Sequence, residues 1–320
     1  MKISLYTAMR DCISNDYPFV DMLRHHLPLA DEIIIDEGFS TDGTYESIRD
    51  LDPKIKIFRH RWEAPTGENW WIHFKDAARR RCTGDWCIHL DCDEFIPEWE
   101  FEDIRRHLAS TSDVLIPTVF YNFYGNYRVY HADPARVNWI TRKMIIHRNV
   151  DEVEFWGDGS NLRLKGQPFP WDTASVAFTV HHFGGVRDAA TLREAWWWAG
   201  RFRTGRSIRF RPPKFLFRWF PHDWKDPYFL ADLATYNGPY IKAIELNRDR
   251  FVRDGMKLFD LLKGRPRRTA PYAPMLPFHV SAKARAKGGQ PAAAEPWPLP
   301  APPAGTVPAP SPVSAKTRGA

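Results

Sequence analysis

The chain has 320 residues, 43% hydrophobic and 26% charged, the proportions of a soluble globular protein with one large domain or one domain plus a smaller lobe. Its net charge of +6 and pI near 9.1 favour an anionic partner such as a nucleotide diphosphate, an anionic lipid or a nucleic acid. The four cysteines, Cys12, Cys82, Cys87 and Cys92, form no CxxC pair, which excludes a zinc site or a disulfide framework. No apolar stretch approaches the ~20 residues needed to span a bilayer, and the N-terminus lacks a signal peptide. A cytoplasmic protein with reduced thiols is therefore expected.

In chain order, Ile3–Thr7 is a short apolar strand. A helix is predicted over Pro18–Leu29, where Phe19, Leu23 and Leu27 recur at helical spacing after a start signal at Asn15-Asp16. Glu32–Asp36 is a compact β-branched run, Thr44–Asp50 a helix opened by Asp42-Gly43, and Ile55–Phe58 a third strand. A basic helix runs from about Asn69 to Arg81 and stops near Gly84. Trp86–Leu90 is a fourth strand ending directly on Asp91-Cys92-Asp93-Glu94.

Alternating strands and helices with short connections predict a mostly parallel sheet flanked by helices, with ligands beyond the carboxyl ends of the strands. That rim gathers Asp36, Asp91 and Asp93. From Val114 to Phe183 short strands and turns predict a mixed β extension, followed by C-terminal helices that begin after Asp188. From about Ala286 the chain is Pro- and Ala-rich, a composition expected to be disordered.

Asp91-x-Asp93 at the end of a buried strand is the central chemical signal. Two carboxylates at this spacing can turn oxygens toward one hard divalent cation, Mn²⁺ or Mg²⁺, shared with substrate phosphates. Alone, the same pair also reads as a helix-capping loop. Asp36, at its own strand end, can accept hydrogen bonds from a base or ribose. Gly38 allows close backbone approach there.

Here the residues meet a family. Ile33-Ile34-Ile35-Asp36-Glu37-Gly38-Phe39-Ser40-Thr41-Asp42-Gly43-Thr44 resembles the strand-two motif of glycosyltransferase family 2. Thr83-Gly84-Asp85-Trp86-Cys87-Ile88-His89-Leu90-Asp91-Cys92-Asp93-Glu94 resembles that family's metal motif with its preceding strand. The two stand in the family's order and at a typical separation, and the resemblance covers about residues 1–120. It implies a GT-A fold: a nucleotide-sugar-binding α/β half over residues 1–120, an acceptor-side half of the same catalytic domain over 121–270, and the tail over 286–320. It also implies a metal-dependent transferase that inverts the anomeric carbon, takes a nucleoside-diphosphate sugar and serves a glycan or lipid-linked acceptor.

The resemblance carries roles onto matching positions. Thr7 and Ala8 look like the edge of the nucleotide pocket, Asp36 like the acid near the base, and Lys75 like a basic residue facing the donor. Asp91 would face ribose or metal, and Asp93 the metal directly. Where many members have Asn-Glu after strand one this chain has Arg10-Asp11, so Asp11 stands in for that acid. In His181-His182-Phe183-Gly184-Gly185-Val186-Arg187 the match points to His182 as a metal ligand and to Arg187 as a phosphate partner.

An inverting transfer needs a general base. Glu152, Glu154 and Asp158 are the candidates, with Asp158 first, in Trp156-Gly157-Asp158-Gly159-Ser160; the same stretch also reads as simple turn chemistry. Trp156 would stack on a sugar face. The aromatic and basic stretch 209–224 suits either peripheral contact with an anionic membrane surface or packing over the core. Nucleic-acid binding is disfavoured because no basic stripe or known motif is present, and hydride transfer because strand one leads into no GxGxxG. A catalytically inactive, ligand-holding relative is the alternative, and the presence of both metal acids argues against it.

Overall fold

A computed structural model describes residues 1–62, 71–131, 142–156, 159–167, 177–187, 191 and 233–251. Its centre is four parallel strands: β1 (Ile3–Met9), β2 (Glu32–Glu37), β3 (Ile55–Arg59) and β4 (Trp86–His89), in the order β3-β2-β1-β4. Every residue of β2 and β4 is buried, as expected of strands covered on both faces. The chain moves outward from β1 to β3 and then returns to place β4 on the other side of β1. The strand order therefore reverses between β1 and β4, and a crevice opens beyond their carboxyl ends.

Helix α1 (Phe19–His26) buries Phe19, Met22, Leu23 and His26, one face at helical spacing. α2 (Thr44–Ile48) follows a turn in which the Asp42 carboxylate accepts Thr44 N at 3.1 Å and Ser14 N at 2.7 Å. α3 (Trp71–Arg79) buries Phe74, Lys75, Ala78 and Arg79 against the sheet. Its basic end is paired internally: Arg79 and Arg80 both bond Asp76, and Arg81 reaches toward Asp36.

Beyond β4 the same sheet continues in mixed fashion. β5 (Glu94–Phe95) is followed by α4 (Phe101–Ser110), β6 (Leu115–Tyr124), β7 (Asn126–His131) and β8 (Arg142–Arg148). β8 pairs antiparallel with both β4 and β6, and so joins the extension to the parallel core. β9 (Val153–Trp156) and β10 (Asn161–Leu164) form a separate hairpin. β11 (Phe178–Gly185) runs parallel to β6 and antiparallel to β5, and β12 (Leu233–Thr235) closes the edge on β7. The last helix described is α5 (Lys242–Leu246).

The strands expected from the sequence are present, most of them one to five residues longer at one end. β5, α4 and the β9–β10 hairpin were not anticipated. The boundary expected near residue 120 falls inside β6, which is hydrogen-bonded to the sheet along its length. Most of the helix expected after Asp188, the stretch 209–224 and the tail after Ala286 lie outside the described residues. Among the described residues no helix is long and apolar enough to cross a membrane.

One buried carboxylate pins the amino-terminal ends of β1 and β2. Glu32, 2% exposed, accepts Ser4 Oγ at 2.6 Å, Thr83 N and Thr83 Oγ1 at 2.7 Å each, and Lys56 Nζ at 2.6 Å, with Lys2 Nζ 3.1 Å away. Burial alone would raise its pKa, but Lys56, Ser4 and Thr83 together hold it well below the usual glutamate range. Because the folded pKa is depressed, this stabilisation is present above the unfolded value and is lost as the pH falls below about 4.5. Glu32→Gln is expected to cost about 2 kcal/mol at pH 7, since Lys2 and Lys56 are half exposed and partly screened. Urea titrations at pH 7 and pH 4 check it: the gap between wild type and variant should narrow at the lower pH.

Candidate functional site

The crevice is lined by the exits of β1, β2 and β4. Leu90 N donates to Tyr6 O, and the chain then turns so that Glu94 N donates to Asp91 O and Asp91 N to the Glu94 carboxylate at 2.9 Å. This tight turn sets the directions of Asp91 and Asp93. β11 is laid against it: Phe183 N donates to Asp93 O at 2.8 Å, and His182 stands opposite Glu94 in register. The acidic turn and the His-Phe-Gly-Gly segment, some ninety residues apart, are thus joined by sheet hydrogen bonds.

Adjacent residues of a strand face opposite ways, and this separates the two histidines. His181 enters an aromatic cluster, its Nε2 3.2 Å from the Tyr236 hydroxyl and its ring 5.5 Å from Tyr121. His182 faces the crevice. Its Nδ1 is 2.8 Å from Asn122 Oδ1; with the amide oxygen assigned to that place the ring carries its proton on Nδ1, and Nε2 is turned toward Asp93 Oδ1, 3.7 Å away. Burial holds the His182 pKa down to about 4, so the ring is neutral at pH 7.

Gly184 keeps the space around these two groups open. A Cβ there would lie 2.5 Å from His182 Nε2 and 2.9 Å from Asp93 Oδ2. Among the described residues no side chain hydrogen-bonds the Asp93 carboxylate, although it is 4% exposed. One carboxylate and one neutral imidazole around a gap suit Mn²⁺ or Mg²⁺, with water and phosphate oxygens completing the shell. Among the described residues no three His, Cys, Asp or Glu side chains come together as a complete protein-only metal site.

The other acids are paired within the chain. Asp91 Oδ1 lies 2.8 Å from Lys75 Nζ, which also donates to Gly159 O at 3.2 Å. Burial would raise the Asp91 pKa, but Lys75, His89 and Lys143 hold it well below the usual carboxylate range. Glu94 Oε1 lies 2.5 Å from Lys143 Nζ, a buried lysine on β8 whose ammonium also sits 4.3 Å above the Phe120 ring. Burial, with Asp91 and Asp93 nearby, raises the Glu94 pKa to about 7. Lys143 is kept protonated because Glu94, Asp91 and Asp93 outweigh the cost of its burial. His89, buried, turns an Nε2 without a hydrogen-bond partner among the described residues to within 3.6 Å of Asp91.

Asp36, at the exit of β2, is fully buried. Trp62 Nε1 donates to its Oδ1 at 2.9 Å, His60 Nδ1 lies 3.0 Å from Oδ2, and Arg81 lies 3.5 Å from Oδ2. Burial raises its pKa, and the indole, His60 and Arg81 oppose the shift. Ala8 stands beside Asp36 in register and shares its face, whereas Thr7 points to the opposite face with a buried hydroxyl lacking a partner among the described residues.

Three further positions are engaged in local structure. Asp11, at φ 49°, accepts Thr41 N at 2.9 Å and ties the β1 exit to the loop after β2. Arg187 donates to Gly184 O at 3.0 Å and to Asn15 O at 3.4 Å and lies over Tyr17, so it braces the loop before α1. Trp156 is 46% exposed at the end of β9, and Glu154 is paired with Arg163. Asp158 lies outside the described residues; its neighbour Gly159 is the one that accepts from Lys75.

Reasoning from sequence did not find Lys143, Asn122, His60 or Trp62. A lone lysine in a strand reads as solvent-facing, and pairings across twenty to sixty residues leave no local pattern.

A family model described as Glycosyl transferase family 2 matches residues 18–160. This stretch is similar to glycosyltransferase family 2. It contains β2, β4 and the acidic turn, and the arrangement of parallel core, acidic turn and mixed extension is of the GT-A type. The chain also resembles solved structures. TarS 1–349 of S. aureus in complex with UDP-GlcNAc is 14% identical over 49% of each chain, with a TM-score of 0.35. The same protein with UDP is 11% identical over 72% of this chain and 79% of that one, at 0.38. Glucosyl-3-phosphoglycerate synthase from Mycobacterium tuberculosis with Mn²⁺ and UDP-glucose is 17% identical over 38% of this chain and 43% of that one, at 0.28. The chain thus spans about half of the UDP-GlcNAc-bound TarS structure it matches. No curated protein sequence matches it.

Gly184→Ala is expected to fold, at a cost of about 1–3 kcal/mol from the displaced neighbours, and to lose Mn²⁺ binding. Isothermal titration of Mn²⁺ checks this; unchanged affinity would mean that the gap between Asp93 and His182 is not where the cation goes.

Proposed function

We propose that the chain transfers a sugar from a nucleoside-diphosphate sugar to a glycan or lipid-linked acceptor in the crevice between β1 and β4. The observation that carries this reading is the pair Asp93 and His182, held 3.7 Å apart around the space left by Gly184 and backed by the Asn122 contact. When bound there, Mn²⁺ or Mg²⁺ supplies positive charge to the donor diphosphate.

The chain's own groups do the remainder. Lys75 leaves Asp91 for the phosphates or steers Asp91 toward the ribose, and Lys143 offsets part of the negative charge that Glu94, Asp91 and Asp93 bring to the turn. Asp36 and Ala8 flank the base. In an inverting transfer the acceptor oxygen forms its bond to the anomeric carbon as the bond to the phosphate oxygen breaks. The electron pair of that bond leaves with the nucleoside diphosphate, and the acceptor proton passes to a carboxylate. Asp158 is the candidate for that base: it adjoins Gly159, which Lys75 ties to the acidic turn. Trp156, exposed on the same hairpin, offers a face on which an acceptor sugar can stack. A cytoplasmic location, peripheral to the membrane through the stretch 209–224, fits a lipid-linked acceptor of the cell envelope.

A thermal-shift panel of UDP-, GDP-, dTDP- and CMP-sugars, with and without Mn²⁺, tests the donor reading. Stabilisation by at least one of them, larger with metal, is expected. In Asp93→Ala the metal-dependent part of that shift should vanish, and sugar transfer should fall by at least ~100-fold. Full activity in Asp93→Ala would sink the mechanism.

A further inference from the structure

The pocket at the exit of β2 is filled by the chain itself. Trp62 lies flat over Gly38, where a Cβ would meet ring atoms Cδ2, Cε2 and Cγ at 2.6, 2.8 and 2.9 Å. Phe74 on α3 stacks on it at 4.3 Å and 9° between planes, and Trp71 meets it edge-on at 6.0 Å. Its edge N–H points into Asp36 Oδ1 at 2.9 Å. The remaining oxygen of that carboxylate is occupied by His60 and Arg81. A planar ring, sandwiched on a glycine and an aromatic side chain with one edge N–H on a buried carboxylate, presents the chemistry of a bound nucleobase.

We propose that Trp62 is an internal occupant of the base subsite, so that the donor's base binds by displacing the indole from Asp36, and residue 62 thereby sets the affinity for the donor. This rests on the donor-site reading above. Three physical points support it. The pocket offers a ring-shaped space that only glycine at 38 leaves open. Asp36 has a single oxygen directed at that space, and it can take only a donor. A base that replaces the indole inherits both the N–H acceptor and the Phe74 face, so the exchange conserves one charged hydrogen bond and one stack. Nothing is left buried and unsatisfied in either state.

The carboxylate also selects. Uracil and thymine carry an imide N–H, and guanine a ring N–H, on the edge that would face Asp36. Cytosine and adenine present a bare ring nitrogen at the corresponding place, and its lone pair would confront the carboxylate. The subsite therefore fits uridine, thymidine or guanosine diphosphates and disfavours cytidine and adenosine ones.

An occupant that must leave lowers the apparent affinity by the fraction of time the pocket is free. Trp62→Phe keeps a flat ring but removes the N–H. UDP, GDP and CDP are titrated calorimetrically into wild type, Trp62→Phe and Trp62→Leu in Mn²⁺, with a thermal melt of each protein as the folding control. The expected result is that the better of UDP and GDP binds both variants about tenfold more tightly than wild type, about 1.4 kcal/mol, while CDP stays weak. In ¹⁵N spectra, the indole N–H signal absent from Trp62→Phe identifies Trp62, and in wild type that signal should move when nucleotide is added. Weaker binding in both variants would mean that Trp62 stacks on the ligand, and unchanged affinity that the ring is not in its way; either overturns the proposal while leaving the donor site standing. If no nucleotide binds wild type or either variant, the donor-site reading itself falls and this inference with it.

Discussion

The buried carboxylates Asp36, Asp93 and Glu94 and the partly exposed Asp91 stand at one rim of the sheet, and each negative charge has to be met. An uncompensated one costs several kcal/mol, more than most single contacts contribute. Asp36 is met by Trp62, His60 and Arg81, Asp91 by Lys75, and Glu94 by Lys143. Asp93 is the exception: among the described residues its partner is His182, 3.7 Å away and neutral. The shortfall of positive charge is therefore concentrated at one oxygen pair, beside a gap that Gly184 keeps open. For the donor site proposed above, that point is where a cation would offset the remaining charge.

The compensating groups come from elements remote in sequence, which explains why the extension is continuous with the parallel core. Lys75 is delivered by α3, Lys143 by β8, and His182 with Gly184 by β11. β8 reaches the acidic turn because it pairs with β4, and β11 because it pairs with β5. The extension thus completes the electrostatics of the turn after β4, and a division near residue 120 would cut through β6, the strand to which both β8 and β11 are bonded.

The parallel core was legible in the sequence because its signals are local. The run Glu32–Asp36 is β-branched, buried on both faces and bounded by polar residues, and Trp86–His89 runs directly into Asp91. His182 was singled out over His181 by the family resemblance, and the alternation of β11 turns the two rings to opposite faces. α4 was missed because its polar face dominates ten residues with only Phe101, Ile104 and Leu108 buried. The β9–β10 hairpin hid in a Gly-rich turn, and a two-residue strand such as β5 exists only through its partner β11. Lys143 and Trp62 were invisible for a different reason. Their character comes from what they touch, a buried acid in each case, and no window of sequence holds both members of either pair.

The same pairings constrain how the rim can work. Among the described residues, the cations nearest the acidic turn already hold a carboxylate, a carbonyl or a ring, as Lys75 holds Asp91 and Gly159, and Arg187 holds Gly184 and Asn15. A ligand gains from these groups only the difference between its own contacts and those it replaces. That difference is largest where the existing partner is weakest, at Asp93 and His182, and smallest at Asp36, where an indole already satisfies the acceptor. Binding strength at this rim should therefore come mainly from the diphosphate end and its cation, and selectivity from the base end, where near-equal exchange makes a single N–H decisive.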